Sequence, residues 1–165
     1  MTQTTAAASN ASAAADPAAL MPSIVAAIES SAQPSVLEQH ELESLYAGAF
    51  AELQAGRHEH AHKMFLFLNG QSPLDPRFAE ALGITHVKRG DFALGMPFLA
   101  LASYLRPTSP VPLLHMAEAM AGMGERRSAS ALLSASAALA DLDPRFSGVG
   151  EKARARLDLL NGDPA

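Results

Sequence analysis

Leu20, Ile24, Val25 and Ile28 stand out among the apolar residues of 20–30. They fall on one stripe at helical spacing, so the stretch predicts a short amphipathic helix over 20–33. Pro34 ends it. Ser35 followed three residues later by Glu38 is a capping-box pattern, which opens a longer helix through Ala55. Within that helix Tyr46, Phe50 and Leu53 stand at i, i+4 and i+7. The same alternation of apolar stripe and turn continues down the chain. It predicts helices at 36–55, 57–70, 77–89, 91–105, 110–123, 125–140 and 144–161.

The turns keep a fixed distance. Gly56, Gly90 and Gly124 each follow a helical stretch, and they are 34 and 34 residues apart. Glycine is the usual residue for the left-handed conformation that closes a helix, so one turn is used three times. Other columns obey the same interval. Ala49, Gly83 and Ala117 are small, as are Ala61, Gly95 and Ala129, while Phe65, Leu99 and Leu133 are large and apolar. "DPRF" occurs at Asp75–Phe78 and again at Asp143–Phe146, two intervals on. This arrangement resembles the tetratricopeptide repeat, with its Leu-Gly, Ala, large apolar and Pro columns. Leu82-Gly83, Ala102 and Pro107 carry it best; Gly48-Ala49 replaces Leu-Gly in the first unit. The expected fold is all-α, a right-handed α-solenoid of three tandem tetratricopeptide repeats, at about 42–75, 76–109 and 110–143. An N-terminal helix precedes them. A capping helix at 144–161 covers the last repeat, completing a repeat domain over 34–161. Lys152, Arg154, Arg156 and Asp158 are expected to be its solvent face.

Composition narrows this further. Alanine-rich, β-branched-poor sequence favours helices, and the absence of cysteine fits a reducing cytoplasm. Residues 1–19 are Ala, Ser and Thr of low complexity, expected to be a disordered tail. They lack the basic and apolar regions of a secretory signal. Net charge is −5, and residues 1–56 hold six acids but no Lys or Arg. With no basic run, nucleic acid and anionic membrane are not expected partners. No stretch is long and apolar enough to span a bilayer.

Repeat arithmetic points the first helix of each pair inward. The expected peptide-binding groove is Tyr46, Phe50 and Leu53 from repeat 1, Glu80, Ile84, Val87 and Lys88 from repeat 2, and Leu114 and Glu118 from repeat 3. Such a surface is apolar at its N-terminal end and without strong charge. The Tyr46-Phe50-Leu53 stripe fits two roles, ordinary core or a set of pockets for an extended peptide.

"LYAGAFAELQAGRHEHAHKMF", "DPRFAEALG" and "LLHMAEA" are together similar to the class II, tetratricopeptide-type chaperones of type III secretion translocators. The similarity covers about residues 36–146. It implies a cytoplasmic bacterial chaperone, not an enzyme, that keeps two hydrophobic translocators soluble and export-competent. Each client offers an extended segment with a Pro-x-Leu-x-x-Pro-like pattern to the concave groove. It also implies a homodimer through the N-terminal helix, with Leu20, Ile24, Val25 and Ile28 as the contact. Some members assist a transcriptional activator after client release, which these residues leave open. The alternative is a general tetratricopeptide-repeat scaffold or regulatory protein binding another peptide.

"GRHEHAHKMF" places His58, His60 and His62 within five residues. The arrangement departs from the His-Glu-x-x-His of a zinc peptidase and lacks a third ligand. It fits better as the turn and first helical turn of a repeat, with His58 in a packing position. No Gly-x-Ser-x-Gly or complete phosphate loop is present. No metal, cofactor or catalytic residue is expected. A carboxylate clamp of Lys, Arg and Asn is also missing from the groove positions.

Overall fold

A computed structural model describes residues 17–31 and 35–162. The helices are α1 (Pro17–Ser31), α2 (Gln39–Gln54), α3 (His58–Gln71), α4 (Pro76–Arg89), α5 (Phe92–Leu105), α6 (Val111–Gly122), α7 (Arg126–Ala140) and α8 (Ser147–Gly162). A 3₁₀ turn, Pro144–Phe146, leads into α8. No strand occurs among the described residues. The proposed tail lies outside them at residues 1–16, as does Pro34. Helix α1 starts at Pro17, inside the segment expected to be tail.

From α2 onward each helix packs on the next, so α2/α3, α4/α5 and α6/α7 form three stacked hairpins, with α8 against α7, while α1 lies against α5. The repeated glycines explain the spacing. Gly56, Gly90 and Gly124 have φ of 74°, 82° and 82° and are the only positive-φ residues described. The same hydrogen-bond pair closes each helix. Gly56 N–H donates to Leu53 O and Arg57 N–H to Glu52 O; Gly90 N–H donates to Val87 O and Asp91 N–H to His86 O; Gly124 N–H donates to Ala121 O and Glu125 N–H to Met120 O. This is the Schellman closure, in which only glycine takes the left-handed position without strain.

The repeated "DPRF" is likewise one local structure used twice. Asp75 and Asp143 each accept a hydrogen bond from the backbone N–H two residues on, Arg77 at 2.9 Å and Arg145 at 3.0 Å. Proline follows as the first residue of the turn, where a missing N–H costs nothing.

The start of α2 differs from expectation. Its capping box is Glu38 with Glu41, and the helix begins three residues later than Ser35 would place it. Ser35 is otherwise engaged: its hydroxyl donates to Leu37 O at 3.0 Å and lies 3.2 Å from Gln71 Oε1. Gln71 also accepts from Val36 N–H at 2.8 Å, tying the entry strand of chain to the end of α3.

The small columns are where paired helices touch. Ala49, Ala61, Ala117 and Ala129 are fully buried, and so are Phe65, Leu99 and Leu133 between repeats. Equivalent residues also meet across repeats: Arg77 donates to both carboxylate oxygens of Glu43, 34 residues away.

Candidate functional site: a polarised groove

The inner faces of α2, α4, α6 and α8 enclose a cavity of about 440 Å³. Helix α2 contributes Phe50, Leu53 and Gln54, and α4 contributes Glu80, Ile84 and Lys88. Both sets recur at three- or four-residue steps, one face of each helix. Val111, His115 and Glu118 come from α6, Lys152 and Arg156 from α8, and His58 from the start of α3.

Six of the nine expected groove residues therefore line the cavity: Phe50, Leu53, Glu80, Ile84, Lys88 and Glu118. Tyr46, Val87 and Leu114 do not. Tyr46 packs in a ring cluster, with centroids 6.3 Å from Phe50, 5.9 Å from Phe65 and 5.6 Å from Phe78. The Arg77 guanidinium covers Tyr46 and Phe78 at 5.5 and 5.4 Å. Burial pushes the Tyr46 hydroxyl above its ordinary pKa, with the nearby Glu80 charge adding to it. Val87 packs with Leu99 and Ala119, and Leu114 with Ala117 and Leu133. Leu53 belongs to both worlds, since it is buried in the repeat-1 core and still borders the cavity. Phe50 is the apolar side chain most open to the groove, 43% exposed.

Lys152 and Arg156 were expected to face solvent as part of a cap. Lys152 is exposed, and both side chains also line the groove. Lys152 lies 34 residues after Glu118, and Arg156 lies 34 after Gly122, so α8 sits where the first helix of a fourth repeat would sit. Extending the interval once more would have found both. Arg154 does point away, and pairs with Asp141 at 3.1 Å.

The groove is also more charged than expected. Glu80 pairs with Arg106 at 2.7 Å, and burial holds its carboxyl above the ordinary value. Glu118 is 2.7 Å from His115 Nδ1 and 3.5 Å from Lys88 Nζ, and it also pairs with Arg156. Burial alone would raise the Glu118 carboxyl, but these cationic and hydrogen-bonding partners hold it below the ordinary value. The apolar end lies at repeat 1 and the charged end at α6 and α8.

The three clustered histidines separate. His58 borders the groove, His60 Nδ1 lies 3.4 Å from Glu52, and His62 meets His86 edge-on at 4.7 Å. Among the described residues no three His, Cys, Asp or Glu side chains converge as metal ligands would. His86 is buried, stacks on Phe98 at 5.7 Å, and lies 3.6 Å from Asp91. Burial lowers its pKa more than Asp91 raises it, with Arg89 lowering it further. Burial likewise lowers His62, which Arg89 and His86 also face. Both imidazoles therefore take a proton more readily unfolded than folded. Stability is full above the ordinary histidine value of 6.5 and declines as pH falls below it. Urea midpoints should drop between about pH 7.5 and about pH 5.5, before carboxylates titrate. An unchanged midpoint would contradict the lowered pKa of buried His86 and half-buried His62.

No family model matches the chain. The structure of the type III secretion translocator chaperone SycD from Yersinia enterocolitica superposes with a TM-score of 0.71 at 26% identity, covering 77% of this chain and 96% of that one. The low calcium response locus protein H of Yersinia pseudotuberculosis is 30% identical over 120 residues, 72% of this chain and 71% of that protein. The chain belongs to the translocator chaperones of type III secretion. A further member of this chaperone group, PcrH, is similar in its complex with the chaperone-binding region of PopD. That match has a TM-score of 0.73 at 25% identity and covers 79% of this chain and 98% of that one. The helical-hairpin architecture described above is thus that of a translocator chaperone. No described helix is long and apolar enough to cross a membrane.

Proposed function

We propose that this chaperone holds an extended segment of a hydrophobic translocator in the groove between α2 and α8. It thereby keeps the client soluble and export-competent in the bacterial cytoplasm. The observation that carries this is Phe50, a large apolar side chain left open on the wall of the cavity. An aromatic in that position loses water contact only when something lies over it. The reading is supported by PcrH, whose structures contain chaperone-binding regions of PopD and PopB, and by SycD bound to a peptide of YopD. A client segment with a Pro-x-Leu-x-x-Pro-like pattern suits the space, because proline-rich chain is already extended and loses less entropy on binding. Ordering the remaining flexible client is unfavourable, which keeps affinity moderate and release possible. Co-expression with a translocator is the direct test: the client should stay soluble only with the chaperone, and a client equally soluble alone would contradict it.

Helix α1 suits the proposed dimer contact, though with a smaller surface than the four-residue stripe. Val25 and Ile28 pack within the chain, near Ala79, Leu101 and Ala102. Leu20 and Ile24 are 46% and 40% exposed and remain available. Asp at both positions should halve the mass in light scattering while circular dichroism stays unchanged. An unchanged mass would move the dimer contact elsewhere.

A further inference from the structure

The cation side chains of the groove are gathered at one end. Lys88, Lys152 and Arg156 line the cavity there, and the one carboxylate among them, Glu118, pairs with Lys88 and Arg156. Glu80, the other acid of the groove, is matched by Arg106. With Arg106 counted beside the three lining cations, this region carries an excess of two positive charges over Glu80 and Glu118, in a chain whose net charge is −5. Lys152 makes no ion pair among the described residues. Nη1 of Arg156 is buried and has no hydrogen-bond partner among them. Burial keeps that N–H from a client, so the exposed Lys152 ammonium is the open cation of this end, and a carboxylate is the acceptor that matches it.

We propose that this end of the groove reads an acidic side chain of the client. The chaperone then prefers extended segments that carry Asp or Glu on the flank facing α6 and α8, beyond the apolar anchors that sit near Phe50 and Ile84. The inference rests on the groove being the client site. The apolar end supplies affinity that is indifferent to charge. The cationic end supplies orientation, because an acidic flank laid against Phe50 would lose its water without gaining a partner.

The test uses the full-length chain and labelled synthetic peptides with a common Pro-x-Leu-x-x-Pro core. One flank at a time carries Glu, Gln or Lys, and binding is read by fluorescence polarisation. One flank should show Glu binding about tenfold tighter than Gln, the gain expected of a charge-assisted contact. Added salt should shrink that difference. Lys152→Glu changes an exposed, unpaired side chain. It should abolish the preference for Glu and favour the Lys peptide, with an unchanged circular dichroism spectrum. Equal binding of the Glu and Gln peptides to the wild-type chain, with the core peptide still bound, overturns the acid preference alone. Failure of every core peptide to bind overturns the groove as client site, and this inference with it.

Discussion

Leucine in place of Gly83 should destabilise the chain by about 3 kcal/mol, lowering the thermal midpoint by roughly 6–12 °C. Helices α4 and α5 meet backbone to side chain at this point. A Cβ on Gly83 would lie 2.7 Å from Leu99 Cγ and 3.1 Å from the Leu99 backbone nitrogen. The partner helix is equally tight, since a Cβ on Gly95 would lie 2.9 Å from the Gly83 carbonyl oxygen. Leu99 is fully buried and cannot swing aside. The helices must separate, and every contact along their interface loosens. Gly70→Ala is the control. Nothing lies within 4 Å of its built Cβ in α3. There alanine should be neutral or stabilising by a few tenths to about 1 kcal/mol. A Gly83→Leu protein with an unchanged midpoint would contradict the repeat register.

Phe50→Asp should weaken binding of a translocator segment by about 2–4 kcal/mol, roughly 30- to 1,000-fold in Kd. Phe50 is 43% exposed, so a carboxylate there remains hydrated in the free protein and the repeats stay folded. On client binding the same carboxylate would be stripped of water against apolar side chains. Tyr46→Asp is a different experiment despite the neighbouring position on α2. Tyr46 is hemmed in by Phe65, Phe78 and the Arg77 guanidinium, so its loss should unfold repeat 1. Normal affinity of Phe50→Asp, with a normal circular dichroism spectrum, would remove the client from this groove.

The architecture was legible from three glycines because the left-handed turn admits almost no other residue, so chemistry and geometry coincide at one letter. The "DPRF" pair was legible for a similar reason, a short side chain capping its own backbone. The groove was legible only in part. Tyr46, Glu80 and Leu114 share one column, which lies at the border between the inner face and the core. Tyr46 and Leu114 turn into packed clusters while Glu80 stays in the cavity. Apolar spacing fixes a helix face to within about a quarter of a turn, too coarse to separate the two sides of such a border. Polarity placed Lys152 and Arg156 toward solvent but could not tell that this face borders the groove, which the 34-residue interval does indicate. The Ser35 cap failed through a contact with Gln71, 36 residues distant, that no local pattern records.

The central claim is that the client lies along the inner faces of the repeats. A photo-crosslinking amino acid at Gln54, an exposed residue of the groove, tests it against one at Phe67, an exposed residue of α3 outside the groove. With the chaperone co-expressed beside a hydrophobic translocator, crosslinks to the translocator should form from position 54 and not from position 67. Crosslinks from position 67 alone would contradict the account.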